Sequence, residues 1–224
     1  MSARRYDSKN FWETRYHQRK SSIVASNLSV MLRKNDLVLD AGCGTGELSL
    51  IAGKLGGCVV SLDLAKSYLK RISGKVENRV CASISCLPFK SKVFNTVICA
   101  DVVEHIPDYD EGLAELSRVS SKTLILTTPC HGILRTLFGR FFPVQLAHID
   151  QKVGHIYIVS LPNLRQRLLK PNWEATCRSY HVLQPIVNRF LSKRLEHIVD
   201  LSEKVCDVLL PEKGTISLVV AVRS

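Results

Sequence analysis

No run of 18 uncharged apolar residues occurs in the 224-residue sequence, which excludes a transmembrane helix of ordinary length. The N-terminal stretch MSARRYDSKNFWETRYHQRK has no apolar core segment, so no secretory signal is expected there. None of the eight cysteines, at 43, 58, 81, 86, 99, 130, 177 and 206, stands in a C-x-x-C pair or at zinc-type spacing. Several sit inside apolar runs such as NTVICAD and GGCVVSL, where cysteine behaves as a small hydrophobe. A reduced, cytoplasmic chain is the expectation. Repeats, low-complexity tracts and obvious linkers are absent as well.

Acidic residues are the scarcer sign, 20 against 31 basic, for a formal net charge of +11. The imbalance is local. Residues 1–36 carry 8 basic and 3 acidic side chains, residues 131–224 carry 13 and 7, and residues 37–130 balance at 10 and 10. Basic flanks around a neutral middle suit an anionic partner, and they equally suit a chain that only needs to stay soluble.

What is present is an alternation of apolar, β-rich runs with helical patterns. Strands are predicted at 36–41, 58–63, 78–82, 94–100 and 121–128, with helices near 46–56, 65–74 and 109–119. Near-continuous apolar strands separated by helices imply a parallel sheet covered on both faces. Two helices are predicted within 8–34. After 128 come an amphipathic stretch at 131–146, a helix near 161–169, a strand near 174–182, a long helix near 185–209 and a last strand at 214–223. The expectation is one doubly wound α/β domain: N-terminal helices (1–35), a core (36–130), an insertion after the fifth strand (131–172), and C-terminal strands and helix (173–224).

The stretch VLDAGCGTGELSL, Val38 to Leu50, places Gly42, Gly44 and Gly46 directly after the first strand. A dinucleotide fingerprint would read G-x-G-x-x-G. Here the third glycine comes one place early, and Glu47 occupies the fingerprint position, where a carboxylate would repel a pyrophosphate. No GK[ST] is present for a nucleoside triphosphate. The loop suits a ligand that lies close to the main chain and carries no phosphate. The second strand ends at Asp63 in VVSLDLA, some 20 residues further on, where an acid accepts both hydroxyls of a ribose. Leu64 and Ile84 are placed to sandwich a base. A nucleoside without phosphate, approached closely by the main chain, describes S-adenosylmethionine.

In order, VLDAGCGTGELSL, VVSLDLA, CLPFKSKVFNTVICADVVEHIPD and LAELSRVSSKTLILTTP resemble the successive motifs of class I S-adenosylmethionine-dependent methyltransferases, over roughly residues 36–130. The segments VVEHI, TTP and GHIYIVSLPNLRQRL resemble the ubiquinone-biosynthesis O-methyltransferase branch. The resemblance implies a seven-stranded, mostly parallel sheet with its last strand antiparallel. It assigns cofactor binding to Asp40, Ala41, Gly42, Gly44, Gly46, Asp63, Leu64, Ser83, Ile84 and Ala100, with Arg15 or Arg19 on the methionine carboxylate. Two positions depart from the family. Ser83 stands where an acid often bonds the adenine amino group, which weakens adenine binding, and Asn95 replaces an aspartate in a structural position.

The segment ADVVEHIPD follows the fourth strand, where this fold presents residues to the transferring methyl group. If it turns helically, Asp101, Glu104 and His105 share one face. Three readings stand for that face: a divalent-cation site, as the resembling branch has; His105 as general base; or a purely structural turn. His155 in GHIYIV lies where the branch has a histidine that would complete either site. The motifs of cytosine-C5 and of amide- or adenine-nitrogen methylation are missing, which argues against nucleic acid as the acceptor.

In HGILRTLFGRFFPVQLAHID, residues Ile133, Leu134, Leu137, Phe138, Phe141 and Phe142 form one apolar stripe with Arg135 and Arg140 off it. Burying six such side chains is worth roughly 9–18 kcal/mol. The stripe is core, a lid over an apolar acceptor, or a contact with an anionic membrane. The function expected is methyl transfer to a small molecule, with O-methylation of an apolar or lipid-linked hydroxyl foremost. Cofactor binding without turnover, and methylation of RNA or protein, are the alternatives.

Overall fold

Residues alternate in and out along the central strands so regularly that these strands feed two separate cores. Val38 and Ile98 join a cluster with Ile125, Leu218 and Val220, whereas Leu39, Val97, Cys99, Leu124, Leu126 and Val219 join a second on the opposite face. Both faces are therefore covered. The computed structural model describes residues 8–129, 156, 161–168, 172–180 and 216–223.

The elements are α1 (Ser8–Met31), β1 (Leu37–Ala41), α2 (Glu47–Lys54), β2 (Cys58–Asp63), α3 (Lys66–Arg71), β3 (Asn78–Cys81), β4 (Phe94–Ala100), a 3₁₀ turn (Val103–His105), α4 (Tyr109–Val119), β5 (Ser120–Pro129), α5 (Leu161–Leu168), β6 (Trp173–Tyr180) and β7 (Ile216–Arg223). They form a seven-stranded sheet in the order β3-β2-β1-β4-β5-β7-β6. Strands β1 to β5 pair in parallel, and β7 runs antiparallel to both β5 and β6. The expected class I sheet is present, including its antiparallel last strand. The order reverses between β1 and β4, so the ligand crevice of such a sheet lies beyond the carboxyl ends of these two strands.

One expectation is corrected. Residues 8–31 form a single helix, not two. The segment contains neither Gly nor Pro. Its cap-forming residues turn their side chains back onto the helix: Ser26 Oγ donates to Ser22 O (2.9 Å), Ser29 Oγ to Ser26 O (2.8 Å) and Asn27 Nδ2 to Ile23 O (2.8 Å). Buried Ile23, Val24, Leu28 and Leu32 fix α1 and the turn after it to the sheet beside α2. The opposite face is covered by α4 and α5, through Leu113, Leu116, Leu164 and Leu168.

The connection from β3 to β4 carries Ser83 and Ile84 and is stapled to α4. Arg118 donates from Nη1 to Phe89 O (2.8 Å) and from Nη2 to Leu87 O (3.0 Å), while Glu115 Oε2 accepts from Leu87 N (2.8 Å). The two side chains also pair directly, Arg118 Nε to Glu115 Oε1 at 2.6 Å. Asn95 has the structural role expected of it, its Oδ1 accepting from Leu37 N at 2.8 Å. The amphipathic stretch at 131–146 and the helix expected near 185–209 lie outside the described residues.

Candidate active site

The glycine loop hangs from the end of β2. Leu62 O accepts from Gly42 N (2.7 Å) and Cys43 N (2.9 Å), and all three glycines hold positive φ, at 80°, 49° and 76°. Two of them are needed for different reasons. A methyl group on Gly42 would collide with both branches of Val102, the second residue beyond β4. A methyl on Gly44 would meet no atom of the described residues within 4 Å. Gly42 thus lets the two halves of the sheet close on each other, and only Gly44 leaves its surface open to a ligand.

Asp63 stands at the carboxyl end of β2 and is half-buried. Its Oδ2 accepts from Gly44 N (2.9 Å) and its Oδ1 from Ala65 N (2.8 Å). One carboxylate therefore ties the open glycine to the turn after β2. Each oxygen keeps a second lone pair, enough for the two hydroxyls of a ribose. Leu64 beside it is 72% exposed, whereas Ile84 is only 4% exposed and belongs to the core next to Gly112. Leu64 is the larger of the two surfaces a base would meet. Ser83 Oγ accepts locally from Ser85 N (3.2 Å).

Asp40 is buried at the end of β1, where Ser49 Oγ donates to it at 2.5 Å and lies 2.6 Å from Ser61 Oγ. Burial pushes its carboxyl up to about 6, partly offset by the bonds from Ser49. Asp40 is thus placed to brace the loop from below, with Ala41 buried beside it. Burial, with Asp40 and Asp63 nearby, likewise raises the Cys43 thiol to about 12, so it offers no thiolate at neutral pH. Every cysteine among the described residues is free of disulfides.

Beyond Ala100, the expectation that Asp101, Glu104 and His105 share one face does not hold. Asp101 takes a left-handed conformation (φ 55°), and a short 3₁₀ turn follows. Strand alternation then gives the two acids different tethers. Thr127 and Thr128, adjacent on β5, point to opposite faces of the sheet. Thr127 Oγ1 donates to Asp101 Oδ1 (3.0 Å) and Thr128 Oγ1 to Glu104 Oε2 (3.2 Å). Glu104 is fully buried with its Oε1 lacking a hydrogen-bond partner, while His105 is exposed. Burial first, and then the charge of Asp101, raises the Glu104 carboxyl well above the ordinary range. Among the described residues no three His, Cys, Asp or Glu side chains are grouped to hold a metal.

A residue absent from the sequence-based assignment enters here. Lys20 of α1 places Nζ 3.3 Å from Asp101 Oδ2, the two side chains being 12% and 13% exposed. The signal was available: Lys20 lies three and four residues before Ile23 and Val24, on the stripe that α1 buries. Arg19 beside it is half-buried. Arg15 lies one turn earlier in α1, its side chain outside those described. His155 also lies outside them; its neighbour Ile156 donates its N–H to Glu104 O at 2.8 Å.

Residues 39–124 match the family model described as a methyltransferase domain. The fold matches that of magnesium protoporphyrin IX methyltransferase from Synechocystis PCC 6803, solved with bound SAH, at a TM-score of 0.69 and 17% identity over 100% of this chain and 90% of that one. The fold is that of the class I S-adenosylmethionine-dependent methyltransferases. Among curated proteins, the chain is 29% identical to the mitochondrial ubiquinone biosynthesis O-methyltransferase of Rattus norvegicus, over 60% of this chain and 43% of that protein. It is 28% identical to the chloroplastic magnesium protoporphyrin IX methyltransferase of Arabidopsis thaliana, over 69% of this chain and 51% of the relative. The chain spans about half the length of these relatives or less. The open Gly44 and the spare lone pairs of Asp63 fit S-adenosylmethionine as a ligand.

Asp63→Ala should weaken S-adenosylhomocysteine binding at least roughly tenfold, about 1.4 kcal/mol, because it removes the ribose acceptor and releases Gly44 N together. Calorimetry showing unchanged affinity would place the ribose elsewhere.

A second expectation concerns Asp40 in the cofactor-free protein. Its folded-state pKa lies above the unfolded one, so the native state holds the proton more tightly and stability falls as pH rises from 3.8 toward about 6. Asn at this position escapes that cost. The stability of Asp40→Asn relative to wild type should rise between pH 4 and pH 7 by up to about 3 kcal/mol. A difference in urea midpoints that does not change with pH would count against it.

Proposed function

We propose that the protein transfers the methyl group of S-adenosylmethionine to a hydroxyl of an apolar or lipid-linked small molecule. The observation that carries the reading is the contact between Val102 and Gly42. It brings the turn after β4, with Asp101, Glu104 and His105, to the same crevice as the open face of Gly44. The names of the two relatives, one acting in ubiquinone biosynthesis on oxygen and one on magnesium protoporphyrin IX, support a small-molecule acceptor.

The bound cofactor supplies an electrophilic methyl group on a sulfonium. The chain's own residues do the rest. Gly44 N and Asp63 hold the nucleoside against the glycine loop, with Leu64 over the base. Main-chain groups of Gly42 and Gly44 take the methionine part, and Arg15 or Arg19 its carboxylate. A hydroxyl attacking in line must be at least partly deprotonated, and a phenol with pKa ~10 is mostly protonated at neutral pH. His105, exposed beside the buried acid, is positioned to take that proton. His155 is the second candidate for that task. The apolar stripe at 131–146 and the basic flanks support acceptor capture at an anionic membrane surface; no helix among the described residues is long and apolar enough to cross one.

Turnover is tested by incubating the protein with methyl-labelled cofactor and a lipid and metabolite extract. Label should move into an organic-soluble product. His105→Ala should lower that rate at least roughly tenfold. No labelled product in any fraction would leave a cofactor-binding protein without turnover.

Membrane capture has its own test. The protein should co-sediment with anionic vesicles at low salt and release as salt rises. Leu137→Glu combined with Phe141→Glu should abolish this while cofactor affinity stays. A wild-type protein that ignores such vesicles makes the stripe core or lid.

A further inference from the structure

A divalent cation between Asp101, Glu104 and His105 would have to gather donors that the fold keeps apart. His105 is exposed and Glu104 is buried, and Thr127 and Thr128 tether the two carboxylates from opposite faces of β5. The place of a cation is also taken. The ammonium of Lys20 lies 3.3 Å from Asp101 Oδ2. A magnesium ion on that oxygen would sit at about 2.0–2.1 Å, in strong repulsion with the ammonium.

We infer that Lys20 is the built-in counter-cation of the Asp101–Glu104 acidic pair, standing where related sites would use a metal ion, so that this chain needs no divalent cation there. Three observations converge on it. Lys20 is delivered by the buried face of α1, whose Ile23, Val24 and Leu28 leave it little freedom to withdraw. A lysine and an aspartate this far out of water hold together only as a pair, since either alone would keep an unmatched charge. Asp101 sits in a left-handed conformation unusual for a non-glycine residue, and the Lys20 ion pair and the Thr127 bond fix it there. An ammonium can do much of what a cation does electrostatically. It offsets the Asp101 carboxylate beside the incoming hydroxyl and holds Asp101 still. It cannot ligate that hydroxyl, so deprotonation stays with a side-chain base. Lys20 is thus a positioning residue.

The inference rests on the reading of this turn as the acceptor side, and its test reads cation binding separately from cofactor binding and turnover. Magnesium chloride is titrated into the full-length protein by calorimetry, and thermal midpoints are recorded with and without it. Wild type should show no saturable magnesium binding up to millimolar concentration, and exhaustive chelation should leave S-adenosylhomocysteine affinity unchanged. Lys20→Met, which exposes the acidic pair, should bind magnesium at least roughly tenfold more tightly than wild type. Lys20→Arg should behave as wild type, and Lys20→Met with Asp101→Asn should lose the gained affinity. Saturable magnesium binding by wild type that Asp101→Asn removes would overturn the inference. So would a folded Lys20→Met protein that gains no magnesium affinity. If Lys20→Met fails to fold, the wild-type titration and its Asp101→Asn control still decide. S-adenosylhomocysteine calorimetry on the same samples reports the cofactor site whatever the metal result.

Discussion

The space vacated by one side chain governs the geometry of this site. Without a Cβ at Gly42, Val102 lies directly on the main chain of the glycine loop, and the ends of β1 and β4 draw together. Everything chemical is measured from that contact. On one side stand Gly44 and Asp63, joined by a hydrogen bond. On the other stand Asp101 and Glu104, clamped by adjacent threonines, with His105 turned outward. A larger residue at Gly42 would have to wedge the two halves apart, at a position whose φ of 80° already disfavours side chains.

The cofactor half was readable from the chain because its signals are local. Alternate glycines after an apolar strand, and an acid about twenty residues on, specify backbone geometry with little help from distant residues. The sheet followed from near-continuous apolar strands alternating with helical patterns. The acceptor half was less legible, for an equally physical reason. Whether Asp101, Glu104 and His105 share a face depends on which way Thr127 and Thr128 point, and so on the pairing of β5 with β4. Spacing within ADVVEHIPD suggests a helical face, and the left-handed Asp101 removes it. In α1 the serines and Asn27 could cap a second helix; in the single helix their side chains bond back to their own backbone instead. Lys20 was passed over because a lysine reads as surface, although its spacing from Val24 and Leu28 sets it on the packed stripe.

Charge distribution follows the same division of labour. The neutral middle of the sequence is locally arranged in acidic groups around the crevice: Asp40 below the loop, Asp63 at its edge, Asp101 and Glu104 beyond β4. The N-terminal helix, from a basic flank, returns one positive charge to that cluster. A sulfonium ligand is itself cationic and loses its charge when the methyl group leaves. An acidic surround therefore favours the reactant form of the cofactor over its spent form, within the limits that burial sets on how many of these carboxyls are ionised.

The adjacent threonines of β5 carry one more consequence. Because they serve opposite faces, a one-residue slip of β5 would hand each carboxylate to the wrong partner. β5 is pinned on one side by β4 and on the other by the antiparallel β7, whose register runs without a break from Thr123–Val222 to Pro129–Ile216. β7 works as an alignment rail, so the geometry at one end of the sheet is kept by a strand far along the chain from the glycine loop.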